Sequence, residues 1–213
     1  MKIFKLILAV SLQLAVIACL NGQSYSRFGM DTTGGNVPRG LELNSIAPDF
    51  KALNQDDKEI HLYDLLKSQR VVLFFYRGNW CPFCNTYLQN MQDSLDYLLA
   101  SNTAVIAVSP ENPDNVDKTV RKHQLGFHVV YDAENQIMEA YDVLFNVTGF
   151  YQTKIKVGRF IDLAENNNQD EARLPVPATY IIDMNKRIIY KHFNIDFRHR
   201  APISEILRHL QEN

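Results

Sequence analysis

The chain has 213 residues, 46% of them hydrophobic and 22% charged, with a formal charge of −2 at neutral pH. Such a composition belongs to an ordinary globular protein with enough apolar material for one sizeable core. The Lys and Arg residues are scattered and form no basic stripe, which argues against nucleic acid as a partner.

The N-terminus reads as an export signal. Two lysines fall within residues 1–5, residues 6–20 are almost wholly apolar, and Asn21, Gly22, Gln23 and Ser24 are small or polar. Ser11 and Gln13 interrupt the apolar run, which is short for a membrane span. Two processing routes stay open. Val16-Ile17-Ala18-Cys19 resembles a bacterial lipobox, which makes residues 1–18 a lipoprotein signal and Cys19 a lipidated membrane tether; cleavage after Gly22 makes residues 1–22 an ordinary signal peptide. The second route removes Lys2 and Lys5 and takes the formal charge from −2 to −4. Both place the mature protein outside the cytoplasm, in the periplasm or on the cell envelope. Residues 23–42 are rich in Gly, Thr, Ser and Asn without an apolar period, and are expected to form a linker or irregular lead-in to a domain over residues 43–213.

Within the domain, Ala47-Pro48-Asp49-Phe50 opens an extended segment, residues 54–58 are polar turn material, and Ile60 with Leu62 resumes a strand. This predicts a β-hairpin, followed by a helical turn at residues 63–67. Residues 71–76, all apolar or aromatic, read as a central strand buried on both faces. Arg77, Gly78 and Asn79 are turn chemistry, and Trp80 delivers Cys81-Pro82-Phe83-Cys84 to the start of a helix. Its apolar stripe is Cys84, Leu88, Met91, Leu95 and Leu98. A strand over residues 103–108, a turn over 109–114, a helix carrying Val116, Val120 and His123, a strand over 127–131 and a short helix over 135–143 continue the βαβα order. Residues 145–174 look like an insertion, with a helix or surface loop at 150–163 and an exposed polar stretch at 166–171. Strands over 178–183 and 188–192 and a last helix capped by Ser204 close the chain.

The two thiols carry the chemistry. A helix N-terminus offers free N–H groups and a positive dipole end, so Cys81 is expected to be acidic and nucleophilic. Pro82 suits the first helical position, and the two-residue spacing brings Cys84 round one turn into disulfide reach. The loop end is also expected to be the more exposed of the two positions. A structural zinc site needs four ligands, which this pair and the distant Cys19 do not supply, so no metal is expected. His61, His123, His128, His192, His199 and His209 show no ligand spacing. Asn146-Val147-Thr148 is a glycosylation triplet by pattern only.

APDF at 47–50, VVLFFYRGNWCPFC at 71–84, VPATYIID at 176–183 and RAPISEIL at 200–207 together resemble the AhpC/TSA group of the thioredoxin superfamily, and RGNWCPFC is similar to its peroxiredoxin-like branch. The resemblance implies an α/β, thioredoxin-like fold: a mixed central sheet flanked by helices, here with the N-terminal hairpin as an extension. It also implies a cis Val176–Pro177 bond facing the CxxC and leaving the Val176 backbone free to pair with a substrate strand. By the family's register the peroxide-reactive cysteine falls on Cys84, with Cys81 in place of a threonine, whereas the thioredoxin comparison makes Cys81 the attacking thiol. Pro177 stands where peroxiredoxins carry a peroxide-orienting arginine. Arg77, close to the pair in sequence, Arg200, where the family has a second arginine, and Trp80 are the other substrate-site candidates.

The activity this implies is reduction of hydroperoxides through a Cys81–Cys84 dithiol and disulfide, with a thioredoxin-like external thiol as electron donor and no cofactor. The same dithiol also suits an extracytoplasmic thiol:disulfide reductase acting on protein disulfides. A non-catalytic thioredoxin-fold binding module is the third reading.

Overall fold

The computed structural model describes residues 25–35 and 37–212. Cys19 and the segment read from the sequence as an export signal lie outside them.

The elements follow the apolar pattern. Strands β1 (Lys51–Leu53) and β2 (Glu59–His61) form the expected hairpin, with Ala52 opposite Ile60, and a single helical turn, α1 (Leu62–Leu65), leads into β3 (Arg70–Phe75). Helices α2 (Pro82–Asp93) and α3 (Leu95–Ala100) precede β4 (Thr103–Ser109), α4 (Pro113–His123) and β5 (His128–Tyr131). α5 (Gln136–Ala140) follows β5, the inserted part holds β6 (Leu144–Asn146), α6 (Gly149–Arg159), α7 (Leu163–Asn166) and β7 (Arg173–Pro175), and the chain closes with β8 (Ala178–Ile182), β9 (Ile188–Phe193) and α8 (Ile203–Glu212).

The central sheet has the order β5-β4-β3-β8-β9. β3 runs parallel to β4, which runs parallel to β5, and antiparallel to β8, so β3 is hydrogen-bonded on both edges. This accounts for its unbroken apolar run: alternate side chains of a strand point to opposite faces, and both faces are covered. Val72 and Phe74 pack with Leu88 and Met91 of α2 and Ile206 of α8, while Val71, Leu73 and Phe75 pack with Leu62, Met138 and Tyr141. The sheet is therefore the middle layer of three. Burying a Leu or Met side chain such as Leu88 or Met91, both fully inaccessible, contributes about 2 kcal/mol each.

Several expectations change. The predicted active-site helix is two helices, because Ser94 leaves helical geometry at φ −103° and ψ 3°; the apolar stripe carries on through Leu95 and Leu98 of α3. Ser204 is not the cap of the last helix: Glu205 and Ile206 N–H donate to the Pro202 carbonyl, so the helix starts earlier and Ser204 lies inside it. The stretch from residue 25 to 42 is irregular, yet it is no free tether. Met30 is fully buried and bridges to Val147, Asp31 N–H donates to the Asn146 carbonyl, and Leu41 N–H donates to the Tyr180 hydroxyl. Its backbone groups find partners on the inserted β6 and on β8, which holds it against the domain. No helix among the described residues is long and apolar enough to cross a membrane.

Candidate active site

The site is built at the carboxyl end of β3, where the chain must turn sharply to start α2. Gly78 has φ +143°, and a Cβ there would lie 2.5 Å from Trp80 Nε1 and 2.8 Å from Glu111 Oε1, so glycine is required on both counts. Cys81 N–H donates to the Gly78 carbonyl at 3.1 Å, closing the turn. Asn79 is held from two sides: its N–H donates to Glu111 Oε1 at 2.9 Å, and its carbonyl accepts from Asn85 Nδ2 at 2.7 Å. Cys81 then takes the N-cap position with extended backbone, Pro82 opens the helix, and Asn85 N–H makes the first helical bond to the Cys81 carbonyl.

Each sulfur has its own arginine. Arg77, 2% exposed, donates from Nη2 to Cys81 Sγ at 3.2 Å and from Nη1 to the Tyr151 hydroxyl at 3.0 Å. Its guanidinium lies 3.5 Å from the Phe197 ring centroid and 5.1 Å from that of Trp80, which shields the charge from water. Arg200 donates from Nη2 to Cys84 Sγ at 3.1 Å, from Nη1 to the Phe75 carbonyl at 3.0 Å and from Nε to the Phe197 carbonyl at 3.2 Å. Both cysteines are free thiols and both are fully inaccessible. The expectation that Cys81 is the more exposed sulfur is therefore corrected, since Arg77 and the rings stacked on it close that side.

Electrostatics separates the pair instead. A hydrogen bond from the Cys84 thiol, then the Arg77 charge and its hydrogen bond, hold Cys81 well below the ordinary thiol value, against the opposing effect of burial. Burial pushes Cys84 well up, and the hydrogen bond it gives to Cys81 and the charge there push the same way. Cys81 is the thiolate and Cys84 the proton-bearing thiol that stabilises it.

Val176 and Pro177 do not play the part the resemblance implied. No cis peptide bond occurs among the described residues, and the Val176 N–H donates to the Val143 carbonyl at 2.7 Å. β7 pairs antiparallel with β6, and this ladder runs on into Val176, leaving its backbone no donor for an incoming strand. Val176 and Pro177 are buried wall, with Val176 in the same cluster as Cys81 and Cys84. Trp80 is likewise wall, 8% exposed, its indole N–H buried without a partner. Four residues around the dithiol escaped sequence reasoning: Tyr87, whose ring centroid lies 5.4 Å from the Arg200 guanidinium, Glu111, Tyr151 and Phe197. Only Glu111 carries a local signal, an acid just behind the apolar β4 run, in a stretch whose composition is that of a turn. Among the described residues no group of three or more His, Cys, Asp or Glu is placed to hold a metal ion. His61 sits instead between Asp49 and Asp64 beside the hairpin, at 2.7 and 2.8 Å.

The chain is similar over 103 residues to peroxiredoxin Bcp of Escherichia coli, at 28% identity, covering 48% of this chain and 65% of the relative. It is 30% identical over 103 residues to peroxiredoxin Bcp of Bacillus subtilis, covering 48% of this chain and 65% of the relative. The match thus spans slightly less than two thirds of these relatives' length. Among solved structures, the peroxidoxin BcpB of Mycobacterium tuberculosis superposes with a TM-score of 0.63 at 16% identity, covering 81% of this chain and 97% of that one. The sequence profile of the AhpC/TSA family matches residues 43–191, which take in the hairpin, the CPFC turn and every strand of the central sheet but the end of the last. A thioredoxin-like sheet with a dithiol at the head of the helix that follows its central strand, found over that span of matching sequence, places the chain in the AhpC/TSA family.

Proposed function

We propose that the protein is a thiol-dependent hydroperoxide reductase working outside the cytoplasm. One observation carries the reading: a buried Cys81 thiolate held by Arg77 and by the thiol of Cys84, in a chain of the AhpC/TSA family. The names of its Bcp relatives, both peroxiredoxins, support the same class of chemistry.

Cys81 Sγ attacks one oxygen of the peroxide, the O–O bond breaks, and the other oxygen leaves as water or an alcohol after taking a proton. Cys81 is then a sulfenic acid. Cys84 attacks its sulfur, an S–S bond forms, the S–O bond breaks, and water departs. Two electrons from an external thiol of thioredoxin type restore the dithiol. The alternative substrate, a protein disulfide, needs a backbone donor for the client strand beside the dithiol, and the Val176 N–H is already taken, which favours the peroxide.

Stopped-flow thiol loss with hydrogen peroxide and an organic hydroperoxide tests this, and a rate no faster than that of free cysteine would end it. The Cys84→Ser variant assigns the roles: it accumulates sulfenate on Cys81 under this reading, traps client proteins under the reductase reading, and is inert to peroxide if Cys84 is the attacking sulfur. Location is tested separately. A lipid-anchored protein partitions into the detergent phase and loses that behaviour as Cys19→Ala, while a soluble form beginning at Gln23 excludes the anchor.

A further inference from the structure

Tyr151 brings the inserted part of the chain into direct contact with the site. It is buried in the first turn of α6, where its N–H donates to the hydroxyl of the capping Thr148 at 3.3 Å. Its ring lies against Gly29, which has φ +92°; a Cβ there would fall 2.6 Å from Tyr151 Cγ, so only glycine lets the N-terminal stretch seat the ring. The Tyr151 hydroxyl accepts from Arg77 Nη1 at 3.0 Å, while Nη2 of the same guanidinium donates to Cys81 Sγ at 3.2 Å. The guanidinium is planar and rigid, so its fork fixes the phenol oxygen and the sulfur side by side. Accepting from Arg77 leaves the hydroxyl its own proton to give, and no group among the described residues takes it. Arg77 Nε is a second buried donor without a partner. Two uncommitted donors beside a buried nucleophile call for an acceptor, and the reaction brings one.

The peroxide step leaves a strongly basic oxygen that has to take a proton. Among the described residues no histidine, aspartate or glutamate hydrogen-bonds to either sulfur or to Arg77. Arginine does not give up its proton, and the Cys84 proton is engaged with the Cys81 sulfur. Charge points the same way. The Cys81 thiolate is the anion that balances the buried Arg77, and it becomes neutral as its S–O bond forms; a buried cation left without an anion is costly. A Tyr151 phenolate, already bonded to Nη1, restores the pair.

We propose that Tyr151 is the catalytic acid of the peroxide step, giving its hydroxyl proton to the leaving oxygen while Arg77 passes from the thiolate to the new phenolate as counter-ion. Cys81 Sγ bonds to the peroxide oxygen that carries hydrogen, the O–O bond breaks with its electron pair on the other oxygen, and the Tyr151 proton joins that oxygen. The products are Cys81 sulfenic acid, water or an alcohol, and the phenolate. When Cys84 then attacks Cys81, the hydroxide it displaces leaves with the Cys84 proton as water. Before the next turnover the phenolate regains from solvent the proton that Cys81 gave up on ionising. The assignment rests on the peroxide reading proposed above and names the residue that completes it.

Stopped-flow fluorescence of Trp80, the only tryptophan in the chain, follows the first phase with three small oxidants: hydrogen peroxide, ethyl hydroperoxide and peracetic acid, whose leaving carboxylate needs no proton. Tyr151→Phe is expected to slow the first two about a hundredfold and peracetic acid no more than a few-fold. Hydrogen peroxide is expected to react more slowly with the wild type in heavy water, an effect that Tyr151→Phe loses and Cys84→Ser keeps. Equal slowing with all three oxidants marks a residue that only positions Arg77 and overturns the assignment, as does a heavy-water effect that survives in Tyr151→Phe or vanishes in Cys84→Ser. Should Tyr151→Phe not fold, the wild type decides: a preference for peracetic acid over hydrogen peroxide as large as that of free cysteine overturns the assignment, and a markedly smaller preference supports it. A wild type that reacts with all three no faster than free cysteine defeats the peroxidase reading and the assignment with it, whereas a fast wild type with an unimpaired Tyr151→Phe defeats the assignment alone.

Discussion

Replacing Arg77 by Met removes the buried charge beside Cys81 while keeping most of the side-chain volume. At the observed 3.2 Å, an arginine and a thiolate in surroundings of effective dielectric about 20 attract by about 5 kcal/mol. That corresponds to about 4 pKa units on Cys81, an upper bound. The Cys84 hydrogen bond and the helix N-terminus remain in the variant, so a rise of about 2 units is the expected outcome. Because Cys81 is fully inaccessible, solvent screening takes little from this figure. The assay is the pH dependence of alkylation by iodoacetamide, read together with thiolate absorbance in the ultraviolet; Cys84, pushed well up, does not overlap the titration. Arg77→Lys should recover only part of the effect, since an ammonium does not reproduce the fork that serves Cys81 Sγ and the Tyr151 hydroxyl together. An Arg77→Met protein that folds normally and titrates at the wild-type midpoint would show that the guanidinium does not set the acidity of Cys81.

Gly78→Ala forces a side chain into a backbone conformation of φ +143° and against Trp80 and Glu111, at a cost of about 1–3 kcal/mol in urea unfolding; an unchanged midpoint would refute the geometry of the turn. Arg200→Met withdraws the cation from Cys84, so closure of the disulfide slows and Cys81 sulfinic acid builds up under repeated peroxide, as mass spectrometry would detect; no excess over-oxidation counts against a role for Arg200. Glu111 has a folded-state value raised from about 4.5 to about 7, so the stability it contributes is complete below about pH 4.5 and is lost as the pH rises through 7. The gap amounts to about 3 kcal/mol, and Glu111→Gln should exceed the wild type by up to that amount at about pH 8 while matching it at about pH 4.5; a difference independent of pH would contradict the buried ionisation. Leu88→Ala, at an inaccessible position on the sheet side of α2, should cost about 2–5 kcal/mol in chemical denaturation, and a loss below about 1 kcal/mol would place the residue outside the core.

What the sequence determined by itself is the local part of this protein. The all-apolar run before Arg77, the Pro-bearing CxxC at a helix start and the stripe through Leu88 and Met91 follow from strand and helix periodicity, which one segment displays without its neighbours. Family resemblance extended this to a mixed central sheet flanked by helices and pointed to Arg200 as a site candidate. Contacts between distant segments were not legible. The Arg200–Cys84 contact spans 116 residues and the Arg77–Tyr151 bond 74, and neither separation leaves a period to read. Tyr151 looked like one more aromatic in an irregular insertion until α6 set it against Arg77. Tertiary pairing also settled matters against expectation: the Val143 carbonyl, just ahead of β6, took the Val176 N–H that the family resemblance left free, Met30 drew the supposed linker into the core, and Arg77 with its stacked rings closed over Cys81. Secondary structure reports the conformations a segment prefers, whereas burial and proton affinity depend on which charges and rings the whole fold places within a few ångströms. The division of the two cysteines into thiolate and thiol therefore belongs to the tertiary structure, even though their spacing was plain in the chain.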